Sequence, residues 1–249
     1  VIDRRGFLIG AATLAVAVGA PTVAAAATTR PLALVYRGPA SVPGCPESVA
    51  ALLQSSPSRF RTAYVGPGER LEISPAVLAT ATVYAQPGGP SLSTAWQAMR
   101  PYADTLRSWI AGGGKYLGFC VGGYLAGATP GLNLLPGDTW RYISASDASV
   151  TTAAPSRITV NWRGVPQALY FQDGPVFQLN PGSGAAVLAT YRGGQVAALT
   201  TRYGNGRVGV TGPHVEADAS WFTDDGLDPT GAVHPDLGHD LIESTVNGL

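Results

Sequence analysis

Hydrophobic positions divide the chain into two halves of different rhythm. From Leu32 onward, short continuous apolar runs alternate with segments of helical period. Leu32-Ala33-Leu34-Val35-Tyr36 is apolar throughout, as in a central parallel strand buried on both faces. Pro46, Glu47, Val49, Leu52 and Leu53 then give a short helical pattern with proline in its first turn, closed by Ser55-Ser56-Pro57. Phe60 to Val65 and Thr82 to Gln86 predict two further strands. Between Ser93 and Ala111 the residues Trp96, Met99, Tyr102, Leu106, Trp109 and Ile110 recur at helical spacing, interrupted by Pro101 and ended by Gly112-Gly113-Gly114. Lys115 to Phe119 predicts the next strand, and Tyr124 to Ala128 a small-residue helix after it. Such alternation implies a parallel sheet covered by helices.

From Arg157 the rhythm changes. Ile158 to Trp162, Ala168 to Phe171, Val187 to Tyr191 and Val196 to Arg202 predict strands separated by turn residues, which is an antiparallel section in the C-terminal half. Gly204-Asn205-Gly206 predicts a hairpin turn into a last strand, Arg207 to Thr211, because Asn and Gly tolerate positive φ. A C-terminal helix is expected over Pro235 to Val246, with Leu237, Leu241 and Ile242 on one face.

Residues 1–27 read as an address and not as part of the fold. Arg4-Arg5-Gly6-Phe7-Leu8 opens an uncharged stretch that passes through Leu14, Val16 and Val18 to Pro21 and ends in Ala24 to Ala27. Paired arginines, a mildly apolar centre and small residues at the end are the marks of a twin-arginine signal peptide. Gly6 to Ala27 is long enough to span a bilayer, but Ala and Gly add little hydrophobicity and Pro21 breaks a helix. The expectation is therefore export by the twin-arginine machinery to the extracellular space or cell envelope, with no stable membrane span after processing. Residues 28–249 remain as a single domain.

Composition narrows the function classes. The 249 residues carry 16 Lys+Arg against 16 Asp+Glu, with 13% charged and 45% hydrophobic residues. Zero net charge without a basic run leaves nothing to neutralise a phosphate backbone or an acidic membrane, so no nucleic-acid partner is expected. The apolar fraction is ordinary for a globular chain and argues against disorder. Only Lys115 among the cations is lysine, a bias typical of GC-rich bacterial genomes, so arginine content says little about function.

Gly118-Phe119-Cys120-Val121-Gly122-Gly123 lies at a strand end and a helix start, the setting of a nucleophile elbow. Flanking glycines relieve the strained turn, and a helix N-terminus favours a thiolate. A buried structural cysteine is the usual fate of a lone Cys, but the glycine pattern and the strand-to-helix setting are those of an elbow. Gly212-Pro213-His214-Val215-Glu216 follows the last strand. Residues two apart in an extended segment face the same way, so Glu216 can bond one nitrogen of His214 while the other faces the thiol. That is the logic of a catalytic triad. Pro87-Gly88-Gly89-Pro90 follows another strand end, where the Gly88 and Gly89 amides, with that of Val121, can form an oxyanion hole. Cys45, the only other cysteine, follows the first strand and is expected at the same sheet edge, where a Cys45-Cys120 disulfide is a candidate. His234, Asp236, His239 and Asp240 are expected on a capped surface helix, and neither a metal nor a cofactor is called for. Trp140, Tyr142, Trp162 and Trp221 are expected in the core or at a pocket rim.

The Pro-Gly-Gly loop, the Gly-x-Cys-x-Gly elbow and the late His-x-Glu, in that order, resemble the class I glutamine amidotransferase-like superfamily. Val35-Tyr36-Arg37-Gly38-Pro39, Cys45, Tyr116 to Tyr124 and Asp173-Gly174-Pro175-Val176-Phe177 are similar to the domain at the N-terminus of biotin-protein ligases, which also occurs alone in bacteria. The resemblance covers about Leu32 to Asp240. It implies a flavodoxin-like three-layer α/β sandwich, mostly parallel, with Cys120, His214 and Glu216 as triad and attack on an amide or related acyl carbon. Asp173 is a candidate to approach the substrate. Neither a synthase domain to receive ammonia nor a ligase catalytic domain is expected within residues 28–249. The expected function is an exported cysteine hydrolase acting on a small-molecule or peptide amide. The alternative is a non-catalytic ligand-binding or envelope interaction module that retains the fold.

Overall fold

The computed structural model describes residues 30–248. The signal-peptide reading of residues 1–27 lies outside them. In the first half, strands and helices alternate: β1 (Leu32–Tyr36), α1 (Cys45–Ser55), β2 (Arg61–Val65), α2 (Pro75–Leu78), β3 (Val83–Gln86), α3 (Leu92–Met99), α4 (Ala103–Ala111), β4 (Lys115–Phe119) and α5 (Val121–Leu125). Pro101 lacks an N–H, and a 3-10 turn at Arg100–Tyr102 separates α3 from α4 there. Helix α1 begins where Glu47 reaches back to accept a hydrogen bond from the Gly44 amide at 3.1 Å.

Strands dominate the second half: β5 (Gly137–Arg141), β6 (Ser156–Trp162), β7 (Val165–Phe171), β8 (Pro175–Leu179), β9 (Ala186–Tyr191), β10 (Val196–Tyr203) and β11 (Gly206–Thr211), followed by α6 (Ala219–Asp224) and α7 (Pro235–Asn247). One sheet runs β2-β1-β3-β4-β11-β10-β9-β6-β7, with β8 pairing β10 and β5 pairing β8 at its side. The first five strands in this order are mutually parallel, in the arrangement of flavodoxin-like sheets. Every other pairing is antiparallel. The sheet is thus mixed, not mostly parallel. Its antiparallel section begins at Gly137 and not at Arg157, because β5 carries no apolar alternation strong enough to mark it. The helix after β4 also starts earlier than expected, at Val121, since the glycines that weaken a helix here serve the turn that begins it.

The period of two along a strand distributes the core. Ala33 and Val35 of β1 pack with Val49 and Leu53 of α1 and with Leu241 and Ile242 of α7. Leu34 and Tyr36 enter the other cluster, with Met99 and the α4 residues Leu106 and Ile110. All four β1 residues are fully buried, which is why the run is apolar without alternation. Each such aliphatic side chain contributes about 1.5–3 kcal/mol on burial.

Tyr191 of β9 ties together segments of the antiparallel section. It is fully buried, stacks on Tyr142 with ring centroids 3.8 Å apart, and donates its hydroxyl to the Pro175 carbonyl at 2.6 Å. Replacing it with phenylalanine keeps the stack and removes only the bond. Tyr191→Phe is expected to destabilise the fold by about 1–2 kcal/mol in chemical denaturation, the usual cost of losing one buried hydrogen bond. An unchanged unfolding midpoint would show that this tether carries no weight.

Candidate active site

Four strand ends converge on one cleft. Cys45 follows β1, the Gly88-Gly89 loop follows β3, Cys120 follows β4 and His214 follows β11. In a doubly wound sheet the carboxyl edge is where loops meet, and the cleft has a volume of about 910 Å³. Cys120 lies between β4 and α5 at φ 49° and ψ −106°, a conformation that L-residues rarely adopt. Three contacts hold the turn. The Cys120 amide donates to Thr211 O at 3.0 Å, the Tyr116 hydroxyl donates to Gly122 O at 2.7 Å, and the Tyr124 amide donates back to Cys120 O at 3.0 Å. Gly122 is required by space, because a Cβ there would collide with the Gln86 carbonyl oxygen.

His214 and Glu216 are buried behind the nucleophile. His214 Nδ1 and Glu216 Oε1 are 2.7 Å apart, with Nδ1–H donating to the carboxylate. The His214 amide donates to Tyr170 O at 2.9 Å, and the ring packs against Trp221 with centroids 5.1 Å apart. Nε2 is left for Cys120. Burial by itself lowers the imidazole, but the Glu216 carboxylate and the neighbouring Cys120 outweigh it and raise the group from 6.5 to about 10. Glu216 Oε2 has no partner among the described residues.

The expected oxyanion donors are near the nucleophile, in unequal positions. Gly89 and Val121 line the cleft. Gly88 sits behind it, where an added Cβ would come 2.9 Å from His214 Cε1 and 3.2 Å from Cys45 Sγ. Among the described residues none of the three amides donates to a backbone acceptor outside regular helices and strands. Val121 opens α5 and so has no acceptor within the helix. The loop is positioned by Gln86, whose amide donates to Ala40 O at 3.1 Å while its oxygen accepts from the Tyr84 hydroxyl at 2.8 Å. Tyr84 and Gln86 lie two apart on one face of β3, which is the only sequence signal they give.

Cys45 and Cys120 are both free and buried, and both approach the point that a Gly88 Cβ would occupy. They are juxtaposed and not bridged in this structure. Burial, followed by the charges of Glu216 and Cys120, pushes the Cys45 thiol well above its ordinary range, so it stays neutral. Asp173 lines the cleft at φ 52° and is bound by Arg141 through Nε at 2.9 Å and Nη2 at 2.5 Å. Sequence reasoning missed Arg141, which lies in an unrecognised strand, and Tyr124, which lines the cleft one turn beyond the nucleophile. Of the aromatic residues, Tyr142 and Trp162 are buried in the core, whereas Trp140 and Trp221 line the cleft. The C-terminal histidines and aspartates disperse: His239 pairs with Ser55, and Asp240 accepts from Trp162 and Arg163. The Gly204-Asn205 turn joins β10 to β11 as a hairpin, with Gly204 at φ 59°.

The His214 titration carries a sign that can be checked. Its folded value lies above 6.5, so the stabilisation drawn from its partners is complete below about pH 6.5 and is lost as pH rises through about 10. The His214 ring proton signal should titrate near pH 10 by NMR, and Glu216→Gln should lower that midpoint. A native midpoint at or below 6.5 would contradict the buried pair.

Comparison with known proteins matches this geometry at the level of fold. Residues 32–131 match the family model described as Biotin-protein ligase, N terminal. No curated protein is significantly similar in sequence. A Thermoplasma acidophilum protein described as a GMP synthase component is 11% identical with a TM-score of 0.54, covering 88% of this chain and 94% of its own. A ThuA-like protein from Parabacteroides merdae ATCC 43184 is 14% identical with a TM-score of 0.50, covering 88% and 91%. An exo-beta-1,4-mannosidase from Opitutaceae bacterium strain TAV5 is 21% identical with a TM-score of 0.47, covering 75% of this chain, which spans only 32% of that enzyme. Over residues 32–131 the chain is therefore similar to the N-terminal domain of biotin-protein ligases, and it shares its fold with the GMP synthase component and the ThuA-like protein.

Proposed function

We propose that the protein is an exported cysteine hydrolase that cleaves an amide or related acyl substrate through Cys120, His214 and Glu216. The observation that carries this reading is the buried 2.7 Å pair of His214 and Glu216 beside a cysteine at φ 49° on the wall of a large cleft. The Glu216 carboxylate and the neighbouring Cys120 raise the His214 imidazole above its ordinary value, which suits Nε2 to take the thiol proton. Sγ then attacks the carbonyl carbon. The amides of Gly89 and Val121, with Gly88 behind them, receive the developing oxyanion. His214 returns its proton to the leaving amine, and water releases the acyl group by the same exchange. Glu216 fixes the ring and stabilises its charge. Helices α1 and α7 on one side of the sheet and α3 and α4 on the other are read as the outer layers of a flavodoxin-like three-layer sandwich.

A second reading is favoured by the approach of Cys45 to Cys120. A disulfide between them would consume the nucleophile and leave a ligand-binding or envelope interaction module. Intact mass of the exported protein, purified without reductant, separates the two: two free thiols support the hydrolase.

Thiol alkylation tests the triad directly. Cys120→Ala should abolish labelling by iodoacetamide at neutral pH, since Cys45 is neutral and buried, and His214→Ala should slow it at least tenfold. Equal labelling of native and His214→Ala protein would sink the assignment. For export, Arg4-Arg5→Lys-Lys should retain the protein inside the cell. Recovery of the exported protein with its first 27 residues intact would replace the cleaved signal with an anchor.

A further inference from the structure

The walls of the cleft say what kind of amide fits. Its charged groups are satisfied within the protein. Arg141 is held by Asp173 through two nitrogens, and His214 by Glu216. Among the described residues, no ion on the wall is left over to bind the separate ammonium and carboxylate of a free amino acid without breaking one of these pairs. The unsatisfied polar side chain facing this region is Tyr124, whose hydroxyl is shielded from solvent and has no partner among the described residues. Burial, then the charges of Asp173 and Cys120, raise its titration, so it remains a neutral donor beside the nucleophile. Trp140 is 59% exposed yet lines the cleft, and with Trp221, Leu92 and Val42 it makes the remaining wall largely apolar. A large exposed aromatic in a concavity is informative where an isolated exposed leucine is not.

We infer that the cleft takes an uncharged amide bearing a flat apolar group, which packs on Trp140 while its polar oxygen accepts from the Tyr124 hydroxyl. This rests on the hydrolase reading for the site but names the substrate class that the reading leaves open. The volume of about 910 Å³ leaves room for a flat group beside the amide. Aromatic contact supplies affinity without charge, and a neutral donor fixes orientation.

The test uses benzamide, acetamide and L-glutamine as probes, with binding followed by ligand-observed NMR on the full chain carrying Cys120→Ala, so that turnover does not interfere. Benzamide should bind at least tenfold more tightly than either of the others. Trp140→Ala should remove most of that preference, Trp140→Phe should retain much of it, and Tyr124→Phe should weaken benzamide severalfold. Thermal melting confirms that each variant is folded, and Trp140 is exposed enough for its replacement to be tolerated. Glutamine binding as tightly as benzamide, or a benzamide affinity unaffected by Trp140→Ala, would overturn the inference. Retention of the preference by Cys120→Ala protein, with no amide cleaved by the native chain, would support the inference about the cleft while overturning the hydrolase reading.

Discussion

The site depends on one backbone constraint, the reversed turn at Cys120. A non-glycine residue at positive φ costs on the order of 1–3 kcal/mol and persists only when its surroundings over-determine it. Here they do so from three directions. The end of β11 accepts the Cys120 amide, Tyr116 grips the Gly122 carbonyl from beneath, and the end of β3 lies so close to Gly122 that no side chain fits between them. The strain is therefore borne by the packing of the sheet, and the thiol is held out over its edge. The same packing brings the Pro-Gly-Gly loop beside the turn, so Cys120 and the glycine amides share one support.

Two cysteines occupy this edge and electrostatics distinguishes them. Cys45 is buried and senses Glu216 as a like charge, both of which favour its neutral form. Cys120 faces the imidazole that the same carboxylate holds protonated. A single buried acid thus opposes ionisation of one thiol and organises the base for the other. This division of roles follows from placement, because nothing in the local sequence around either cysteine encodes the distance to Glu216.

Much of the fold was legible because its period was strong. The apolar run of β1, the proline in the first turn of α1, the break at Pro101 and the hairpin at Gly204 each have a local cause, and each element lies within a few residues of its expected place. β5 and β8 were not legible. Trp140 and Arg141 of β5 face solvent or the cleft, so the strand lacks the alternation that burial would impose. The site divided in the same way. Cys120, His214 and Glu216 sit in motifs whose glycines and spacing have mechanical reasons, and the structure brings them together. Tyr124 and Arg141 gain their positions only when distant segments pack, and no pattern in their neighbourhoods announces it. The mixed character of the sheet was underestimated for the reason that hid β5.

The place of β11 in the sheet bears on how the molecule is made. This strand lies between β4 and β10 and joins the parallel section to the antiparallel one, although it comes from the last fifth of the chain. Until it is synthesised, β4 presents a bare edge of unpaired amides and carbonyls, flanked by apolar residues, in the form of a long-lived template for pairing with another chain. Insertion of β11 closes that edge and delivers His214 in the same motion. Assembly of the cleft and protection from aggregation thus arrive together at the end of folding, and a nascent chain lacking this strand has neither.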